Sequence, residues 1–121
     1  MADIMLQVSR LSFAEIGCID KANEGGVTWI GKHRPFTFNM NDLTQLGGFL
    51  PNKLPQHPFK TTSAYYQALP EMHMNHLASQ RNDVINSAED CRQKYVARCL
   101  FRKITREHQL CHDESGPFKL F

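Results

Sequence analysis

The sequence predicts an α+β fold that is mainly helical, with one small β-hairpin. Two long segments, 61–80 and 87–110, place apolar residues at helical spacing and account for the helical part. A turn-rich stretch between two short β-prone segments accounts for the hairpin. The 121 residues, 41% of them hydrophobic, suffice for a packed core, and we expect one unit over residues 1–121.

The chain opens with a short amphipathic helix, expected over residues 2–11. Two strands are expected next, at 13–19 and 27–30. Between them, residues 23–26 read Asn-Glu-Gly-Gly, and Asn and Gly tolerate the positive φ of a tight hairpin turn. The whole segment therefore predicts an antiparallel pair.

A second short helix and a proline-rich loop follow. Asn39 is a candidate N-cap for a helix that ends at Leu46, before the helix-stopping pair Gly47 and Gly48. Residues 49–60 contain three prolines. Each proline fixes φ and removes a backbone donor, so we expect a loop there.

The first long helix is expected over residues 61–80. Pro70 lies inside it, and because the proline ring clashes with the carbonyl four residues back, we expect a kink or a division into two helices. The polar corner at 80–83 is typical of caps and a turn, with contact to a ligand as the functional alternative.

The second long helix opens at Ser87, where Ser87 and Asp90 form a variant capping box, and it runs to about Leu110. Acidic residues near its start and basic residues near its end complement the helix dipole. Its apolar stripe is formed by Val96, Leu100 and Ile104, with Tyr95 and Cys99 beside it. Because the joining corner is short, the two long helices are expected to pack antiparallel.

The net charge of +2 argues against a nucleic-acid binder, because such proteins usually carry a strong basic excess on one face. No run of about 18 apolar residues is present, so no membrane span is expected. The N-terminus is acidic where a secretory signal is basic, which predicts a cytoplasmic protein. In that compartment the four cysteines are expected to stay reduced; they are Cys18, Cys91, Cys99 and Cys111.

No residue set predicts a catalytic, cofactor-binding or metal-binding site. His73 and His76 share a helical face, but no third ligand accompanies them, and the cysteines lack the paired spacing of zinc sites. The glycine pairs at 25–26 and 47–48 fit no phosphate-binding loop. A catalytic-loop aspartate with a downstream asparagine is also missing from the sequence.

Several segments, taken in order along the chain, follow the pattern of a known family. They are 11–18, which reads Leu-x-Phe-x-x-Ile-Gly-Cys, then 34–37, 41–42, 46–48, 65–66, 73–77, 80–83, 90–98, Leu100 with Phe101, and 116–120, which reads Gly-Pro-Phe-Lys-Leu. In this order and spacing the chain resembles the fungal aminoglycoside-phosphotransferase-like, protein-kinase-like family, from about residue 9 to its last residue.

The resemblance implies that the chain is a fragment of the helical C-lobe of a kinase-like fold. In that family the nucleotide-clamping lobe and its lysine precede the matching region, and the catalytic loop and metal-binding aspartate follow it. None of these residues has a counterpart in the chain, which would supply scaffold only and be inactive by itself. ATP, Mg²⁺ and a small-molecule hydroxyl acceptor are implied only for a full-length form, with the hairpin and the proline-rich loop nearest the acceptor.

The alternative hypothesis is a small helical interaction module without enzymatic activity. It is motivated by the apolar face of residues 62–80 and by residues 118–121, expected to be an exposed strand stub. A metal or redox protein built on the cysteines and histidines is the third hypothesis. Exposed apolar surface also predicts marginal stability and self-association.

Overall fold

The computed structural model describes residues 2–21, 29–46, 49–79, 85–107, 110, 112 and 115–119. Four helices and one hairpin lie in this part of the chain, which confirms the mainly helical α+β class. In order they are α1 (Ala2–Arg10), β1 (Cys18–Lys21), β2 (Trp29–His33), α2 (Phe38–Leu46), α3 (Thr62–Ser79) and α4 (Ala88–Arg106).

The hairpin is antiparallel, as predicted, but its strands are displaced along the sequence. β1 begins at Cys18 and pairs with β2 in a register that joins Cys18 to His33 and Lys21 to Trp29, with an irregularity after Cys18. The strand expected over 13–19 is therefore wrong in most of its length. The expected turn at 23–26 lies outside the described residues.

Two isolated bridges replace the first part of the expected strand. Phe13 and Phe118 exchange both backbone hydrogen bonds, with N···O distances of 2.9 and 2.7 Å. Ile16 and Phe59 do the same at 2.8 and 2.9 Å. The expectation of an exposed stub at 118–121 is wrong for Phe118, which is paired and half-buried because its backbone groups find partners on the segment after α1.

Helix α2 is capped by Thr37 rather than by Asn39. The Thr37 hydroxyl accepts a hydrogen bond from the Met40 amide at 3.3 Å, and the Thr37 carbonyl accepts the first helical bond from Asn41 at 3.0 Å. Asn39 lies inside the first turn of α2. A capping residue stands just before the helix, so Asn39 does not occupy the capping position.

The hydrophobic core lies where α2, the proline-rich loop and α3 meet. Its buried members are Met40, Leu43, Phe49, Leu54, Leu69 and Met72. The loop thus supplies two core side chains, and a short 3₁₀ turn over Pro51–Lys53 is its one regular element among the described residues. Packing of these side chains fixes the loop against α3.

Helix α3 runs through Pro70 without interruption, so the expected division into two helices is wrong. Pro70 is less than 2% exposed. Burial of its apolar ring in the core offsets the backbone hydrogen bond that the ring removes. At its start, the Thr61 hydroxyl caps α3 by accepting a hydrogen bond from the Ala64 amide at 3.1 Å.

Helix α4 begins as predicted, with Ser87 as its N-cap. The Ser87 hydroxyl accepts from the Asp90 amide, and the Asp90 carboxylate accepts from the Asn86 amide, both at 3.1 Å. The helix ends at Arg106, four residues before the expected end at Leu110.

Candidate functional site

The surface where α3 and α4 meet brings several charged side chains together with His73. Arg98 of α4 donates from Nε to the His73 carbonyl at 3.1 Å and from Nη1 to the Lys94 carbonyl at 3.2 Å. One half-buried guanidinium therefore joins the two helices through backbone oxygens, a geometry that the fork of five donors allows.

A second link between the helices is centred on Glu71. Its Oε1 atom accepts from Arg102 Nε at 2.6 Å and from Arg106 Nη2 at 3.0 Å. Glu71 precedes His73 in α3, whereas its two partners follow Arg98 in α4. The long helices therefore run antiparallel, as predicted, and one carboxylate neutralises part of the basic end of α4.

The two histidines of α3 have different surroundings. The ring of His76 is buried and lies edge-on to Phe49, with ring centroids 6.1 Å apart. His73 is half-buried, and burial, the Arg98 charge and His76 together hold its pKa below the usual value. Within the described ranges, no three His, Cys, Asp or Glu side chains are grouped to hold a metal ion. These surroundings support a packing role for both rings.

The cysteines form no pair in the part of the chain that the structure describes. Cys18, Cys91 and Cys99 are free and partly buried. Cys111 lies outside the described residues, and so does the polar corner at 80–83 with its alternative ligand-contacting role.

The hairpin and the proline-rich loop, the segments expected nearest an acceptor, lie against each other. The Ile16–Phe59 bridge joins the residues just before β1 to the loop, and Gly17 lies close to both His33 of β2 and Pro58 of the loop. A Cβ on Gly17 would come within 2.6 Å of the His33 carbonyl oxygen and 2.8 Å of Pro58 Cβ. Only glycine leaves room for this contact. No group of three His, Cys, Asp or Glu side chains that could hold a metal ion accompanies it among the described residues.

The outward side of α4 is open and carries exposed apolar side chains between charged ones. Val96 is 48% and Leu100 is 55% exposed, so most of the stripe found in the sequence does not face α3. A groove of about 400 Å³ lies beside it, between the second half of α3 and the first turns of α4. Its lining is apolar apart from Arg92, with Met74 and Leu77 on one wall and Cys91 and Tyr95 on the other.

Among the described residues, these features are two polar links between α3 and α4, a histidine ring packed in the core and an open surface beside α4. Sequence reasoning missed the roles of Glu71 and Arg98, whose partners lie 25 to 35 residues away along the chain. Their charge and helical position were the only signal. None of the described helices is long and apolar enough to cross a membrane. Neither a protein-family model, nor a curated protein, nor a solved structure matches this chain.

Proposed function

We propose that this chain is a scaffold portion of the helical C-lobe of a kinase-like phosphotransferase of the aminoglycoside-phosphotransferase type, inactive by itself. The observation that carries the proposal is the order and spacing of the family-like segments from 11–18 to 116–120. ATP, Mg²⁺ and a small hydroxylated acceptor belong to the full-length form, where residues outside this chain would hold them.

The arrangement of two of these segments supports the proposal. Phe13, in the first segment, pairs with Phe118, in the last, although the two are 105 positions apart in the sequence. Gly17, the glycine of the first segment, occupies a position where a Cβ would clash. The first and last family-like segments therefore meet in the fold. The α3–α4 pair, joined through Glu71 and Arg98, would give such a lobe a rigid support.

Sequencing of the transcript and the genomic DNA on both sides of this reading frame tests the proposal. We expect codons for an aspartate-containing catalytic loop and a later asparagine after Phe121, in frame or beyond an intron. Codons for a lobe with a nucleotide-binding lysine should precede Met1. A transcript that ends after Phe121, with no such codons on either side, would contradict it.

A phosphate-transfer assay gives a second, independent check. The chain as given, incubated with ATP, Mg²⁺ and a set of hydroxylated small molecules, should transfer no phosphate, whereas the longer form should do so. Phosphate transfer by the 121 residues alone would overturn the scaffold role. The proposal places the protein in the cytoplasm and gives it neither nucleic acid nor a membrane as a partner.

The second candidate function is a small helical interaction module without enzymatic activity. It is favoured by the open apolar side of α4, since contiguous exposed apolar surface marks interaction sites. This function predicts saturable binding of a partner by the chain as given. A monodisperse monomer that binds nothing through α4 would count against it.

A further inference from the structure

Two segments from opposite parts of the sequence are held at one place in the fold, the start of α3. On one side, Ile16 exchanges both backbone hydrogen bonds with Phe59, at 2.8 and 2.9 Å. On the other side, the Thr62 hydroxyl donates to the His112 carbonyl at 2.8 Å. Phe59 and Thr62 are three positions apart, so one short stretch anchors both segments.

Beyond these two anchors the segments close on each other, and we call this closure the clasp. It consists of residues 12–13 and 118–119. Phe13 and Phe118 exchange both backbone hydrogen bonds, at 2.9 and 2.7 Å, and Lys119 Nζ donates to the Ser12 hydroxyl at 2.8 Å. The clasp therefore joins the residues that follow α1 to a segment 105 positions further along the sequence.

The clasp lies outside the hydrophobic core. Among the described residues, the partly buried side chains packed against the core are those of Phe59, Tyr65 and Phe101. Phe13 and Phe118 are not among them and are only half-buried, while Ser12 and Lys119 are exposed. Opening the clasp would therefore break a few hydrogen bonds and leave the buried core side chains in place.

Helix α1 depends on the clasp for its position. It has no neighbour comparable to the one that α3 provides for α4, and its large apolar side chains Ile4, Met5 and Leu6 are each more than half exposed. Little buried apolar surface opposes its release, whereas release returns conformational entropy to the backbone. Regions with few buried contacts are those that open below the free energy of global unfolding.

We propose that the clasp opens as a separate unit while the core, α3 and α4 stay folded, and that its opening releases α1. The link is reciprocal, because each segment supplies the backbone partners of the other. Whatever draws residues 118–119 away would thus free α1, at the opposite part of the sequence. This inference does not depend on the phosphotransferase proposal, since it uses only contacts within the chain.

Hydrogen exchange of the folded chain, followed by NMR at several low urea concentrations, tests the separate opening. The amides of Phe13 and Phe118 should exchange through one common opening. They should exchange faster than the amides in the middle of α4, and their exchange should depend less on urea, because the opening exposes less surface than global unfolding.

A variant that weakens the clasp tests which parts belong to it. Phe118→Pro removes the amide that donates to Phe13 and should speed exchange of the Phe13 amide by about tenfold or more, since two backbone bonds depend on this pairing. The Ile16 and Phe59 amides and those of α4 should keep their natural rates. Lys119→Ala, which leaves the backbone pairing intact, is the matched control and should have a smaller effect.

Trypsin reports on the release of α1. Cleavage after Arg10 requires the residues on both sides of the bond to leave the fold, so it follows the population of the open clasp. Phe118→Pro should speed this cleavage by about the same factor as exchange of the Phe13 amide, with cleavage in α4 unchanged. Phe118→Ala is the second variant if the proline variant loses helical circular dichroism.

Four results would overturn the separate clasp. The Phe13 and Phe118 amides could exchange as slowly as those of α4 and with the same urea dependence, which makes opening global, or at the rate of unstructured amides, which means that no clasp forms. Phe118→Pro could speed exchange of Ile16 and Phe59 as much as that of Phe13, which makes clasp and anchor one unit. It could also leave the cleavage after Arg10 unchanged, which separates α1 from the clasp.

Discussion

Helices α1 and α4 both carry apolar residues at helical spacing, but among the described residues of the two helices only α4 has a buried side chain. In α1, Ile4, Met5 and Leu6 are each more than half exposed. In α4, Phe101 packs against the core and Thr105 is buried, while arginines link the helix to α3. The difference teaches that a periodic pattern indicates a helix, whereas burial requires a second surface within reach.

Helices α1 and α4 also differ in length. Nine residues are fewer than the roughly 12–15 that an isolated helix needs to persist in water. Helix α1 is followed directly by the Phe13–Phe118 bridge, which holds its C-terminal end near the rest of the molecule. Helix α4 has 19 residues and a neighbour along its length. The most stable part of the fold should therefore be the core with α3 and α4.

The largest expected effect comes from the same truncation made in each region. Met72→Ala should lower the free energy of unfolding by about 2–5 kcal/mol. The Met72 side chain is only 3% exposed, so its truncation leaves a cavity in the core. Met5→Ala in α1 should change it by less than about 0.5 kcal/mol. Urea unfolding followed by circular dichroism measures both, and equal losses would show that the two helices are equally packed.

The next effect concerns the ion pairs that distinguish α4 from α1. Glu71→Gln removes the charge that two arginines share and should cost about 1 kcal/mol, since these groups are only partly exposed. Glu107→Gln should change the free energy of unfolding by less than about 0.5 kcal/mol, because its partner Lys103 is more distant and both side chains are exposed. If Glu71→Gln proves as neutral as Glu107→Gln, the ion pairs of Glu71 add no measurable stability to the contact between α3 and α4.

Helix capping gives a third, comparable test of the two helices. Ser87→Ala removes the hydroxyl that accepts from the Asp90 amide and should destabilise the protein by about 1 kcal/mol. Ser9→Ala removes a hydroxyl that bonds to the Leu6 carbonyl inside α1, and its effect should be close to zero because α1 adds little to global stability. A larger loss from Ser9→Ala would place α1 in the cooperative core.

The smallest effect is a pH dependence located between α3 and α4. The folded pKa of His73 lies below its ordinary value of about 6.5, because of burial and then the nearby charges of Arg98 and His76. Between these two pKa values the unfolded chain binds a proton that the folded chain does not. The free energy of unfolding should therefore fall as the pH decreases below about 6.5, until the folded pKa is passed.

Unfolding in urea above and below that pH measures the effect. The natural protein should lose stability on the acid side, and His73→Gln should lose less of it, since Gln does not titrate. An identical loss in both proteins would assign the pH dependence to other groups.

Local features of the sequence determined most of the secondary structure. The Ser87–Asp90 capping pair, the helical spacing in α3 and α4, and the turn-rich stretch after β1 act over a few residues, and so the class, the helices and the hairpin could be predicted. The cap of α2 was predicted at the wrong residue for an equally local reason. Thr37 and Asn39 are both competent caps, and the sequence pattern did not distinguish them.

Tertiary structure alone decided what depends on partners far along the chain. The continuity of α3 through Pro70 rests on burial of the ring, and the pairing of Phe118 rests on Phe13 at the other end of the sequence. Likewise the stripe of Val96 and Leu100 lies open because Arg98, Phe101 and Arg102 take the side that meets α3. Capping hydrogen bonds and helix periodicity are local, whereas the side on which a helix is buried is set by whichever surface the rest of the chain brings against it.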